Sequence, residues 1–202
     1  MIQRLSAFFG ALVLACAAHA ADAPDALIQQ VSTDVLEAVK ADKTIQAGDT
    51  QKVIALVDAK VMPHVNFQRM TASAVGRYWR QATPDQQKRL QDEFKILLVR
   101  TYSGALSQVK DQTVSLKPMR STPTDTEVIV RTEVRGKGDP IQLDYRLEKK
   151  DDGWKIYDVN VLGVWLVENY RNSFAQEIGA NGVDGLIAKL AERNKSAAAA
   201  KS

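Results

Sequence analysis

Few residues in this sequence have the chemistry that catalysis needs. His64 is the one histidine beyond the first twenty residues, and a lone histidine beside Pro63 is typical of a surface or capping position. Asp158 lies on a predicted strand between Tyr157 and Val159, where a carboxylate in an apolar cavity would resemble the base of some isomerases. The flanking residues leave the direction of the Asp158 side chain open, so a structural role and a catalytic role both stand at this point.

The motifs of the common enzyme classes are missing from the sequence. It has no nucleophile elbow, no glycine-rich phosphate loop and no histidine, cysteine or carboxylate cluster with metal-ligand spacing. The formal net charge is +3 with both signs interspersed, which is not the basic patch of a nucleic-acid-binding protein. We therefore expect no catalytic residue, no metal, no cofactor and no nucleic acid partner.

The first twenty residues have the pattern of a signal peptide. Arg4 precedes an apolar run that is too short to span a bilayer, and Ala18-His19-Ala20 forms a small-x-small cleavage site. The alternative is a lipoprotein with lipidated Cys16, but the residues before this cysteine fit a lipobox less well. We expect an exported protein: a signal peptide over 1–20, a single domain over 21–195 and a disordered Ala-rich tail over 196–202.

Apolar spacing of three and four residues predicts helices in the first half of the domain. Thr83-Pro84-Asp85-Gln86 is a strong helix start, with threonine as N-cap and glutamine completing a capping box. The helix that follows holds its apolar period for about six turns. Shorter helices are predicted after Pro24, after Asp49 and from Asn66 to Gly76.

From Thr113 the apolar period changes to two, which predicts strands. Residues 127–134 and 141–148 alternate between apolar and charged side chains around a turn at 136–140. With weaker strands near 113–117 and 154–161, they predict an α+β fold: a four-stranded antiparallel meander with one apolar face, covered by about six helices. The charged face is expected to carry cross-strand ion pairs.

The segment 153–174 joins the last strand to a helix at Gly163. Apolar residues from Val164 onward recur at helical spacing, so we expect a helix to start there. This arrangement brings a sheet edge and an amphipathic helix together, with room for an apolar cavity between them.

A set of motifs follows one another along nearly the whole mature chain: Gly76-Arg77-Tyr78-Trp79-Arg80, Thr83-Pro84-Asp85-Gln86-Gln87 with Phe94, Leu97-Leu98-Val99-Arg100-Thr101-Tyr102, Trp154-Lys155-Ile156-Tyr157-Asp158-Val159, Gly163-Val164, Asn169-Tyr170-Arg171 and Gly182-Val183-Asp184-Gly185-Leu186-Ile187. Together these segments resemble the MlaC family of phospholipid carriers, also called toluene-tolerance or ABC-transporter auxiliary proteins. One departure is Trp165, where the family usually has a small serine. A large ring there is expected to narrow the pocket or reshape its mouth.

The resemblance implies a cone-shaped fold that encloses acyl chains in a deep apolar pocket and leaves the headgroup near solvent. The implied pocket residues are Val75, Tyr78, Leu98, Tyr102, Val130, Val134, Leu143, Tyr145, Val159, Val161, Val164, Trp165, Val167 and Tyr170. Arg100 and Arg171 are the possible headgroup contacts.

The resemblance also implies partners and a location. A family member carries phospholipid through the periplasm between an outer-membrane lipoprotein complex and an inner-membrane ABC transporter with its substrate-binding ring protein, and so maintains outer-membrane lipid asymmetry. The activity is transfer and not bond breaking. Two alternatives remain at this point: a cone-shaped isomerase or hydrolase with Asp158 as base, and a periplasmic chaperone.

Cleavage after Ala20 is directly testable. The intact mass of the protein recovered from the periplasm should correspond to a chain that begins at Ala21. A chain that begins at a diacylated Cys16 would contradict this prediction and establish a lipoprotein.

Overall fold

The computed structural model describes residues 23–122 and 124–199. The predicted signal peptide, its cleavage site and Cys16 lie outside these residues. Within the described residues the helices are α1 Pro24–Ala41, α2 Lys43–Gln46, α3 Thr50–Lys60, α4 Phe67–Val75, α5 Pro84–Ser107 and α6 Leu166–Ala199, with short 3-10 helices at Met62–His64 and Gly76–Gln81. The strands are β1 Thr113–Leu116, β2 Glu127–Arg135, β3 Ile141–Lys150, β4 Gly153–Val161 and β5 Val164–Trp165.

Capping contacts confirm the predicted starts of α4 and α5. The Thr83 hydroxyl accepts the Gln86 backbone N–H at 3.2 Å, and the Gln86 side chain accepts the Thr83 N–H at 3.0 Å, so α5 begins with a complete capping box. Asn66 caps α4, which ends at Gly76 with a φ of 66°. The short helix α2, capped by Asp42, was not predicted because four residues show no apolar period.

The five strands form one antiparallel sheet in the order β1-β2-β3-β4-β5. This confirms the predicted α+β meander, with one additional strand. A two-residue turn at Leu162 and Gly163, with φ values of 52° and 91°, returns the chain along β4, because two positive φ values suit a tight hairpin. The helix predicted from Val164 therefore begins at Leu166, after β5.

The sheet has an apolar inner face and a polar outer face, as the alternation predicts. On the inner face, Val128 pairs with Leu147 and Leu147 with Ile156, and Ile28 of α1 packs on them. On the outer face, Arg131 lies opposite Asp144 with their charged atoms 3.9 Å apart.

The last helix differs from the prediction at its end. Gly182, with a φ of 72°, separates two helical segments within α6, and the second segment continues to Ala199. Helix therefore extends into the tail that was predicted to be disordered, while residues 200–202 lie outside the described residues. No helix among the described residues is long and apolar enough to cross a membrane.

Thr83→Ala should lower the free energy of unfolding by about 1 kcal/mol, because it leaves an N–H at the start of α5 without its cap. Urea unfolding of this variant and of Thr126→Ala, at an exposed loop threonine, would measure the difference. Equal losses in both variants would contradict a stabilising role for the capping box.

Candidate functional site

The inner face of the sheet becomes progressively more exposed toward one end. Val128, Leu147 and Ile156 are at most 9% exposed. At the next inward-facing position of each strand, Tyr145 and Val159 are half-buried and Val130 is buried.

Further along the same face, Leu143 and Val161 are half-buried. The last positions are Ile141 and Val164, which are 40% and 51% exposed. We call the half-buried inner-face residues Val134, Leu143, Tyr145, Val159 and Val161 the apolar track. The track leads from the sheet interior to the end that carries the Leu162-Gly163 turn.

The helices leave the track incompletely packed. The main packing partners of α5 are α3, α4 and α6 and not the strands. The buried apolar residues form three clusters: one between α4, α5 and α6, one between α1 and the sheet, and one between α1, α2, α3 and α5. Among the described residues, none of these three clusters includes Val134, Leu143, Val161 or Tyr102. These four side chains are therefore not packed into the buried apolar clusters.

Two tyrosines of this region have phenol pKa values that burial raises. Burial raises the pKa of the Tyr145 phenol, against the lowering effect of its hydrogen bonds with Ser32 of α1 and Thr132. Burial also raises the pKa of Tyr102 on α5, and the nearby Tyr170 adds to the effect. Both side chains nevertheless keep accessible surface.

The predicted pocket residues therefore fall into three groups. Leu98, Tyr102 and the five residues of the track are half-buried. Val75, Val130, Val167 and Tyr170 are at most 7% exposed and pack as core, with the Tyr170 ring 5.1 Å from that of Phe94. The third group lines no part of the track: Val164 is exposed at its end, Trp165 is on the outer face, and Tyr78 packs beside the cluster between α4, α5 and α6. The Tyr78 hydroxyl receives a hydrogen bond from Arg77.

Trp165 corrects a sequence-based expectation. The Arg146 guanidinium lies 3.8 Å from the centre of its ring, and both residues are on the outer face of the sheet. The ring therefore points away from the apolar track and does not narrow it. The ring points this way because Trp165 lies on β5, which was not predicted, and pairs there with Asn160.

The two candidate headgroup residues are not brought together. Arg171 Nε donates to the Ser73 carbonyl at 3.1 Å and links α6 to α4. Arg100 lies two residues before Tyr102 on α5, so the two side chains point about 200° apart around the helix axis. The Arg100 Nε is buried and has no hydrogen-bond partner among the described residues.

Asp158 is held in a structural junction between β4 and α6. Its side chain is 1% exposed. One carboxylate oxygen accepts the N–H groups of Val159 at 2.9 Å and Val167 at 3.1 Å, and the other accepts from Arg146 at 3.0 Å. Burial raises the pKa of Asp158, and these three donors oppose the rise. A carboxylate bound in this way fixes the start of α6, and the isomerase alternative loses its candidate base.

Two open clefts lie away from the apolar track. One, of about 540 Å³, is on the outer face and is lined partly by Arg120, Arg131 and Arg146. The other, of about 500 Å³, is lined by charged residues around Asp151 and Lys155. Neither cleft includes a predicted acyl-chain residue. In the part of the chain that the structure describes, no cluster of histidine, cysteine or carboxylate residues has the geometry of a metal site.

Comparison with known proteins agrees with the resemblance seen in the sequence. Residues 29–192 match the family model of the MlaC protein. The chain belongs to the MlaC family.

Two curated MlaC relatives align over most of the chain. The toluene tolerance protein ttg2D of Pseudomonas putida is 26% identical over 185 residues, which cover 88% of this chain and 86% of the relative. The intermembrane phospholipid transport system binding protein MlaC of Haemophilus influenzae is 23% identical over 177 residues, which cover 86% and 83%.

A solved structure is more similar. The phospholipid-binding protein from Ralstonia solanacearum, determined in complex with a phospholipid, is 48% identical with a TM-score of 0.83, and the match covers 86% of this chain and 98% of that one.

Asp158→Asn should destabilise the fold by about 1–3 kcal/mol, because an amide nitrogen would face the Arg146 guanidinium in place of an accepting oxygen. Chemical unfolding measures the loss, and Asp151→Asn on the exposed turn is the matched control. A destabilisation no larger than that of the control would contradict the structural role of Asp158.

Proposed function

We propose that this protein is a phospholipid carrier that holds acyl chains between the apolar track and helix α5. The observation that carries the proposal is the track itself, an apolar sheet face that runs from the interior to the protein surface without complete cover from the helices. Membership of the MlaC family and the similarity to a phospholipid complex support it.

The length of the track suits an acyl chain. From Val130 to Val134 the strand advances about 13 Å at its rise of about 3.3 Å per residue. One leaflet of a bilayer contributes about 15 Å of hydrocarbon, half of the usual core thickness. A chain that begins beside Val130 and Tyr145 would therefore reach the exposed end of the sheet near its glycerol group.

The energetics require an enclosed site. A phospholipid in a bilayer already keeps both tails from water, so a soluble carrier must match that protection. Each exposed methylene costs about 0.8 kcal/mol, and two tails of about fifteen methylenes would lose about 24 kcal/mol in water. Burial between sheet and helix meets this requirement, whereas the two open, polar clefts do not.

The proposed site of action is the periplasm, which the signal peptide pattern of residues 1–20 supports. In this proposal the carrier exchanges lipid with an outer-membrane lipoprotein complex and with an inner-membrane ABC transporter and its ring protein, and so contributes to outer-membrane lipid asymmetry. The carrier performs transfer and breaks no bond.

Val161→Glu should abolish lipid retention, because it places a charge within the track, where burying the carboxylate beside acyl chains is costly. Ile129→Glu on the outer face is the matched control and should retain lipid. Native mass spectrometry of proteins purified without added lipid would show phospholipid on the wild type and on the control only. A lipid-free wild type, or equal occupancy in both variants, would contradict the proposed site.

A further inference from the structure

The Leu162-Gly163 turn exposes apolar side chains at the end of the track. Leu162 is 67% exposed, Val164 51% and Ile141 40%, and these are the large hydrophobic residues with high exposure among those the structure describes. Leu162 N–H donates to the Gln142 carbonyl at 3.1 Å, which places the turn beside Ile141. The three side chains thus form one patch, which we call the rim.

The backbone of the rim is unfavourable for its sequence. Leu162 has a φ of 52°, a left-handed conformation in which leucine is uncommon and asparagine is favoured. The turn is fixed by the Asn160 side chain, which accepts the Gly163 N–H at 2.8 Å. Stability alone would favour asparagine at position 162, so the leucine points to a function that needs an apolar side chain here.

The position of the rim indicates what it contacts. Val134 pairs with Ile141, and Val161 pairs with both Leu143 and Val164, so the rim continues the apolar track directly. An acyl chain whose methyl end lies near Val130 would have its glycerol-linked end beside the rim. The rim side chains are aliphatic and carry no donor for a phosphate, so their chemistry suits methylenes and not a headgroup.

We propose that Leu162, with Ile141 and Val164, covers the glycerol-proximal methylenes of the bound phospholipid and thereby slows its release. This inference rests on the proposed carrier function and adds a residue that controls lipid retention. Each methylene that becomes wet should speed release about fourfold.

Leu162→Asn separates this role from a structural one. Asparagine accepts the left-handed backbone, so the melting temperature should stay equal to or above that of the wild type. Leu162→Met, which remains apolar, is the matched control. The probe is a dipalmitoyl phospholipid with a fluorescent headgroup, released from each protein into an excess of phosphatidylcholine vesicles.

The expected result is release from Leu162→Asn at least about fourfold faster than from the wild type, with Leu162→Met close to the wild type. An unchanged rate would overturn the rim assignment. A slower rate would overturn it as well, because it would mean that the turn docks on the acceptor bilayer. If the wild type holds no phospholipid, the proposed carrier function and the proposed role of the rim are both wrong.

Discussion

Incomplete burial of one sheet face is the constraint on which the rest of this structure depends. The inner face is largely apolar, with Thr132 as its buried polar residue. Helix α1 packs on β1 and β2, and Ile28 contributes to the buried cluster with Val128 and Leu147. Helix α5 packs on other helices and leaves Leu143 and Val161 only half-buried. Exposed apolar surface costs about 25 cal/mol per Å², so a sheet face left open in this way is expensive unless a ligand covers it. Acyl chains are the ligands whose chemistry matches it.

Polar groups of the domain fix the position of α6 relative to the sheet and to α4. Asp158 ties the start of α6 to β4, and Arg171 ties the same helix to α4. The hydroxyl of Tyr145 is satisfied by Ser32 and Thr132, so a polar atom at the inner end of the track needs no partner from the ligand. The contacts of Asp158 and Arg171 fix the start of α6 through hydrogen bonds to β4 and to α4.

The sequence predicted the parts of the fold that local chemistry determines. The capping box at Thr83 and the alternation of β2 and β3 depend on neighbouring residues, and both are confirmed. The direction of Asp158 could not be predicted because a bulge opposite Arg146 and Leu147 leaves Tyr157 without a partner and interrupts the alternation. Ile156 and Val159 therefore share one face although they are three residues apart.

The candidate site was less predictable than the fold for a related reason. An apolar period shows that Val167 and Tyr170 face inward, but it does not show whether they meet a ligand or other side chains, and in the structure they pack as core. The direction of Trp165 depends on the Leu162-Gly163 turn, whose leucine has none of the usual signals of a tight hairpin.

The most direct measurement is a crystal structure of the protein loaded with a phospholipid that is brominated along its acyl chains. The account predicts anomalous bromine peaks between the sheet and α5, near Val161, Leu143 and Tyr102. Bromine peaks in the outer-face cleft beside Arg131, or no ordered peak beside the apolar track, would contradict it.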